Sequence, residues 1–250
     1  LGHKEFASVG LPALPEVKSG KALIDAELQV KGDQTSVHHA DIDLTDLELD
    51  VPQISWTKDR GVKGSLKVKQ LEGHALSPNA YSVVVRADDL KADGEVATKD
   101  GEVAYVNVPN LRTNLNNLSL KYELKNKADI VTLKGKRLDA SAAYAREENS
   151  LLQDFPHMDL NVDMDEFVLT RTSPITQLKG SLNCRKRCTA ANVSGRTGNS
   201  SFLANIGTSE GGRRFALSTG DAGDFLKALD ITDRVYKGSL NFSGTYDDSQ

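Results

Sequence analysis

The residues with the most chemistry to offer are Cys184 and Cys188, which bracket Arg-Lys-Arg and are the only two cysteines in the chain. In an antiparallel hairpin with a three-residue tip these positions face each other. Their separation there suits a disulfide, whose Cα atoms lie ~5.5–6 Å apart. Two other readings stay open: a pair of free thiols, or metal or redox chemistry. Two cysteines without a neighbouring histidine make a poor zinc site, and the spacing is not that of a C-x-x-C redox motif. A disulfide implies an oxidising compartment, such as the periplasm.

Two other clusters have the look of metal sites. On a strand, His39, Asp41 and Asp43 share one face, opposite Ile42 and Leu44. Successive same-face positions are ~6.5–7 Å apart, which spreads ligands along a line rather than around a point. A solvated strand face is the expectation, with no metal. Asp159, Asn161, Asp163 and Asp165 resemble the start of a calcium loop, but the pattern wants Gly where Met164 stands and Glu where Thr170 stands. Alternation with Leu160, Val162 and Met164 makes this a strand with an acidic outer face. The chain shows no P-loop, no G-x-S-x-G and no H-E-x-x-H. A glycosidase pair among the many strand carboxylates has nothing in its favour, because Trp56 is the single tryptophan available as a sugar platform. The expectation is a protein that is not an enzyme and takes no cofactor.

Those residues belong to a chain of 250 with 38% hydrophobic content and a net charge of −4. That length and composition can bury a core. Mixed charge argues against nucleic acid, which needs a concentrated basic surface. The basic spots at Arg185–Arg187 and Arg213–Arg214 read as solvated loops. Apolar runs such as Val83–Val85 are strand-sized, far from the ~18–20 residues of a membrane-spanning helix.

Period-two alternation dominates. It runs through Ile24, Ala26 and Leu28; Ile42 and Leu44; Leu66 and Val68; Leu118, Leu120, Tyr122 and Leu124; and Leu160, Val162 and Met164. Phe202, Ala204 and Ile206, then Phe215 and Leu217, then Leu240 and Phe242 complete the set. The phase slips at Thr45–Asp46 before Leu47, Leu49 and Val51, which reads as a β-bulge. Turn signals include Lys31-Gly32-Asp33, Ser77-Pro78-Asn79, Asp93-Gly94, Asp100-Gly101, Thr197-Gly198-Asn199 and Glu210-Gly211-Gly212. Together they predict an antiparallel meander. Asp221 is set to cap a helix over Ala222 to Leu229 with Phe225, Leu226 and Leu229 on one face. Residues 140–154 form a second helix or a loop ending at Pro156. Pro12–Pro15 predicts an extended lead-in. A sheet with one apolar face must cover it; a closed sandwich, a barrel or an open trough each satisfies the pattern. Low aromatic content, 6%, favours the trough.

Residues 218–248 carry a resemblance. Asp221, Ala222, Gly223, Phe225, Leu226, Leu229, Ile231, Asp233, Arg234, Val235 and Gly238 follow a DAG-x-hhxxh-x-h-x-DRh-x-x-G pattern (h is apolar). This resembles the C-terminal-region signature of the AsmA-like family. Residues 87–111, 131–144 and 159–170 resemble segments of the same group, so the likeness covers roughly 80–248. The family's N-terminal membrane helix and final segment have no counterpart, so the chain reads as an internal segment of a longer protein.

The resemblance implies a mainly β fold in which an antiparallel meander forms a curled, half-pipe groove with few short helices. It implies a β-rich portion at 1–79, continuous with a groove portion at 80–250. It implies a periplasmic protein anchored to the inner membrane through a segment absent here, binding phospholipid and moving it between inner and outer membranes. The groove-lining candidates are Leu118, Leu120, Tyr122, Leu124, Leu160, Val162, Phe202, Ile206, Phe215, Leu217, Leu240 and Phe242. The alternative is a self-packed β domain with a structural or adaptor role in envelope assembly.

Overall fold

Alternating apolar and polar residues place every second side chain on the same side of an extended strand, and here they build one very wide sheet. The computed structural model describes residues 16–31, 34–73, 77, 79–99, 102–146, 155–170, 173–209 and 212–247. The lead-in at Pro12–Pro15 and the Asp100-Gly101 turn lie outside them, as do parts of the turns at 31–33, 77–79 and 210–212.

In chain order the elements begin with β1 (Val17–Gly20), β2 (Leu23–Lys31), β3 (Gln34–Asp43) and β4 (Leu47–Val51). A 3-10 turn (Pro52–Ile54), β5 (Trp56–Lys58), β6 (Gly64–Leu71), β7 (Ala80–Ala87), β8 (Leu90–Lys99) and β9 (Glu102–Arg112) follow. Then come β10 (Asn117–Lys125), β11 (Ala128–Asp139), α1 (Ser141–Arg146), β12 (Phe155–Val168) and β13 (Ile175–Thr197). The chain finishes with β14 (Ser200–Ser209), β15 (Gly212–Thr219), α2 (Ala222–Ala228) and β16 (Leu240–Asp247).

The long sheet has the order β16-β15-β14-β13-β12-β11-β10-β9-β8-β7-β6-β3-β2. β13 is itself a hairpin. Its first arm pairs with β12 and its return arm with β14. Thr189 Oγ1 donates to the Asn183 carbonyl across the gap, 3.2 Å. With both arms counted, fourteen strands lie side by side. The sheet does not close into a barrel; β2 and β16 are its edges. The fold is mainly β and antiparallel-dominated with few short helices, as the alternation predicts; it is also open, a choice the alternation left undecided.

Three sequence readings need correction. The meander breaks once, because β11 and β12 are parallel. Parallel neighbours need a crossover, supplied by the 140–154 segment, whose described part is α1. The slip at Thr45–Asp46 is not a bulge: the chain leaves the long sheet after β3, and β4 joins a second, three-stranded sheet, β1-β4-β5. Asp93-Gly94 is not a turn but lies inside β8, where the register shifts against β9 near Pro109. Proline cannot donate to the ladder and favours such irregularities. Gly94 is needed there because a Cβ would meet the Asn107 carbonyl oxygen at 2.6 Å. The turn before β8 falls instead at Asp88, with φ +52°.

The small sheet, the 3-10 turn, α1 and α2 form a cap. It lies on the apolar face at the strand ends marked by Ile42, Leu66, Val85, Leu111, Leu118 and Leu138. Asn116 pins the cap to the sheet. It is 2% exposed, its amide nitrogen donates to the Ile54 carbonyl at 2.6 Å, and its amide oxygen accepts from the Asp139 N–H at 2.7 Å. Ser55, in left-handed conformation, accepts from the Ala142 N–H through its hydroxyl, 3.0 Å. Tyr144 reaches from α1 to the Leu229 carbonyl, 2.9 Å.

Lys58 is the most unusual cap residue, at 2% exposure. Its ammonium donates to the carbonyls of Thr45, Leu47 and Asp59 at 3.1, 2.8 and 3.1 Å. Burial lowers its pKa below the ordinary lysine value, and the carboxylates of Asp43 and Asp46 partly oppose that. The charge therefore costs stability below the folded-state pKa. Stability should rise with pH up to the unfolded-chain lysine pKa near 10.5. Lys58→Met should remove that rise and cost about 2 kcal/mol or more, because three carbonyls lose a charged donor. Denaturant midpoints between neutral and alkaline pH check both effects.

Cys184 and Cys188 are joined, with Cα atoms 3.8 Å apart, at the tip of the β13 hairpin. Thiol counting on denatured, unreduced protein should find no free thiol. Such a short loop removes little chain entropy, so Cys184→Ser with Cys188→Ser should cost about 2 kcal/mol or less, read from the shift in denaturant midpoint.

Candidate functional site

Directly opposed residues on neighbouring strands share a face. From β10 the register runs Leu120 to Leu133, Tyr122 to Val131 and Leu124 to Asp129. It continues from Val131 to Leu160 and Leu133 to Val162 on β12, then from Leu160 to Leu182 on β13. On the far side Ala191 meets Ile206, Ile206 meets Phe215, Leu217 meets Phe242 and Thr219 meets Leu240. All twelve groove candidates thus fall on one face. The band extends toward β2 through Val106 and Val108 on β9, Val83 on β7, Val68 on β6 and Ala40 on β3. The sequence signal for these was the same alternation, weakened by short side chains.

The cap divides that face. Leu118 and Phe202 are buried in its main core with Leu138, Met164, Ile175, Leu178 and Phe225. Val162 and Leu217 pack against that core. Beyond it, Leu120, Tyr122, Leu160, Ile206, Phe215 and Leu240 are only half-buried. Leu124 is 38% exposed and Phe242 55% exposed. From Leu120 to Leu124 the uncovered band is ~13 Å wide, at ~3.3 Å per residue. One leaflet of a bilayer is ~15 Å of hydrocarbon. Across fourteen strands at ~4.8 Å spacing the face runs about 60 Å. A band of about 13 by 60 Å is larger than the ~300–600 Å² apolar patch that monomers usually expose.

The end away from the cap is polar. Tyr122 donates to the Asp129 carboxylate at 2.8 Å. Burial, reinforced by that hydrogen bond and the charge of Asp129, pushes the Tyr122 phenol up to about 12. It therefore stays a neutral donor. Arg213, 9% exposed, donates to the Cys188 carbonyl at 2.6 Å and ties β15 to the disulfide tip. Sequence reading missed Asp129 because a lone acid in a turn-proximal position looks solvated.

The resemblance-bearing stretch is architectural. Asp221 caps α2 by accepting from the Asp224 N–H at 3.0 Å. The Ala222 N–H donates to the Gly238 carbonyl at 2.5 Å. Gly223 allows residues 235–237 to lie against the helix, since a Cβ would sit 2.5 Å from the Val235 carbonyl oxygen. Phe225 and Phe202 pack with ring centroids 5.2 Å apart, docking α2 on the sheet.

His39, Asp41 and Asp43 stay on the wet face. His39 Nε2 lies 3.3 Å and Lys67 Nζ 3.1 Å from Asp41, and these neighbours hold its carboxyl below the usual range. Among the described residues no group of three His, Cys, Asp or Glu side chains could hold a metal. Asp159 is spent on Asn183 and Arg185, at 2.6 and 3.0 Å.

Stability should follow the cap rather than the band. Phe202→Ala should cost ~3–5 kcal/mol, because it opens a cavity under α2. Phe242→Ala should cost under about 1 kcal/mol, because its side chain is already largely in water. Chemical denaturation of the two variants checks the contrast.

No family model, curated protein or solved structure matches the chain.

Proposed function

We propose that the uncovered apolar band binds the acyl chains of phospholipid and that the chain is a lipid-conducting segment of an AsmA-like periplasmic protein, anchored to the inner membrane elsewhere and passing lipid toward the outer membrane. The observation that carries this reading is a continuous apolar face, one acyl layer wide, that the cap leaves uncovered among the described residues. Burial of a chain is worth ~0.8 kcal/mol per CH₂, so even partial cover holds a lipid. Chains lie on the band, and headgroups project at the polar end beside Asp129 and Arg213. The mechanism is passive and needs no catalytic group. The disulfide suits an oxidising compartment. The competing reading, a structural or adaptor domain in envelope assembly, places a protein on the same face.

Purified protein should carry phospholipid detectable by mass spectrometry. A photo-crosslinking residue at Leu120 should capture phospholipid in cells, while one at Lys121, on the other face, should not. Leu120→Arg should keep the fold in a thermal melt and lose the lipid, since a charge then lies in the acyl path. Protein adducts at Leu120 in place of lipid would favour the adaptor reading and overturn this one.

A further inference from the structure

The wet face carries a second feature, independent of the apolar band and of the lipid reading. A depression of about 700 Å³ crosses β12 to β15, within the size range of ligand sites. Its upper row places Asn161 opposite Ser181, Asn192 opposite Asn205, and Asn205 opposite Ala216. Its lower row places Asp159 opposite Asn183 and Gly207 opposite Arg214. Small residues open the floor: a Cβ at Gly207 would meet nothing within 4 Å.

One wall is fixed. Asp159 accepts from Asn183 and Arg185, and Thr189 donates to the Asn183 amide oxygen at 3.0 Å. The other groups are unspent. Among the described residues the side chains of Asn161, Asn192, Asn205 and Arg214 make no hydrogen bond or ion pair. Elsewhere the wet face is laced with charge pairs, such as Lys67–Asp41, Arg86–Asp93, Lys121–Glu123 and Lys179–Asp163. Asparagine is disfavoured in strands. Three free amides at interior strand positions bring no propensity gain and no ion pair.

Each free amide offers two donors and an acceptor in one plane, a match for sugar hydroxyls. Arg214 adds a guanidinium fork, which suits a carboxylate. We propose that this depression is a binding site for an acidic oligosaccharide, with Asn161, Asn192 and Asn205 contacting hydroxyls and Arg214 the carboxylate.

The test is calorimetric titration of the 250-residue protein with tri-galacturonic acid, maltotriose and inorganic phosphate. Tri-galacturonic acid should bind saturably and more tightly than maltotriose. Arg214→Gln should weaken the acidic trisaccharide about tenfold or more, the usual scale for losing a charged hydrogen bond, and leave maltotriose unchanged. Asn192→Ala, at an exposed position that the fold does not need, should weaken both sugars. Lys121→Gln, on the same face but remote, should change neither. Absence of saturable binding by tri-galacturonic acid overturns the proposal. So does binding that both site variants leave intact, or phosphate that binds as tightly as the trisaccharide, which would mark a simple anion site.

Discussion

Everything in this molecule follows from a sheet with one apolar face too wide for its own cover. Fourteen strands present apolar residues on one side, and among the described residues a three-stranded sheet, a 3-10 turn and two short helices hide part of them. The cap buries the strand ends near Leu118, Phe202 and Trp56. Hydrophobic burial there holds the fold, while the rest of the band stays wet at a free-energy cost that a bound apolar molecule would relieve.

The strand faces were legible because the period of two leaves little choice of side: a slip by one residue would invert a whole strand. Leu118, Leu120, Tyr122 and Leu124 could be assigned without any partner. The Asp221 cap was legible too, since its side chain acts within one turn. What escaped were non-local decisions. Nothing in Leu47–Val51 distinguishes a strand that continues a sheet from one that folds over it. Asp93-Gly94 has turn chemistry, but close approach to Asn107 is what requires the glycine. The parallel crossing from β11 to β12 depends on where the chain returns after α1, which local alternation does not encode.

The site divides in the same way. Membership of the apolar face could be read from alternation, whereas its division into covered and uncovered zones could not, because that depends on where α2 and the small sheet dock. Leu118 and Leu124 look alike in sequence. One lies in the core and the other stands at the polar end. The wet-face depression was invisible because it depends on register across five adjacent strand segments, from Asn161 to Arg214.

The order of strands also sets how the molecule comes apart. Nearly every strand of the long sheet touches only its two neighbours, so its stability is close to a sum of nearest-neighbour terms, as in a repeat array. Such a lattice frays from β2 and β16 inward rather than melting at once. A lesion at an edge costs one rung. A lesion at the β11–β12 seam, the one parallel pairing among the described residues, would divide the array into two halves still linked through the cap and the crossover chain.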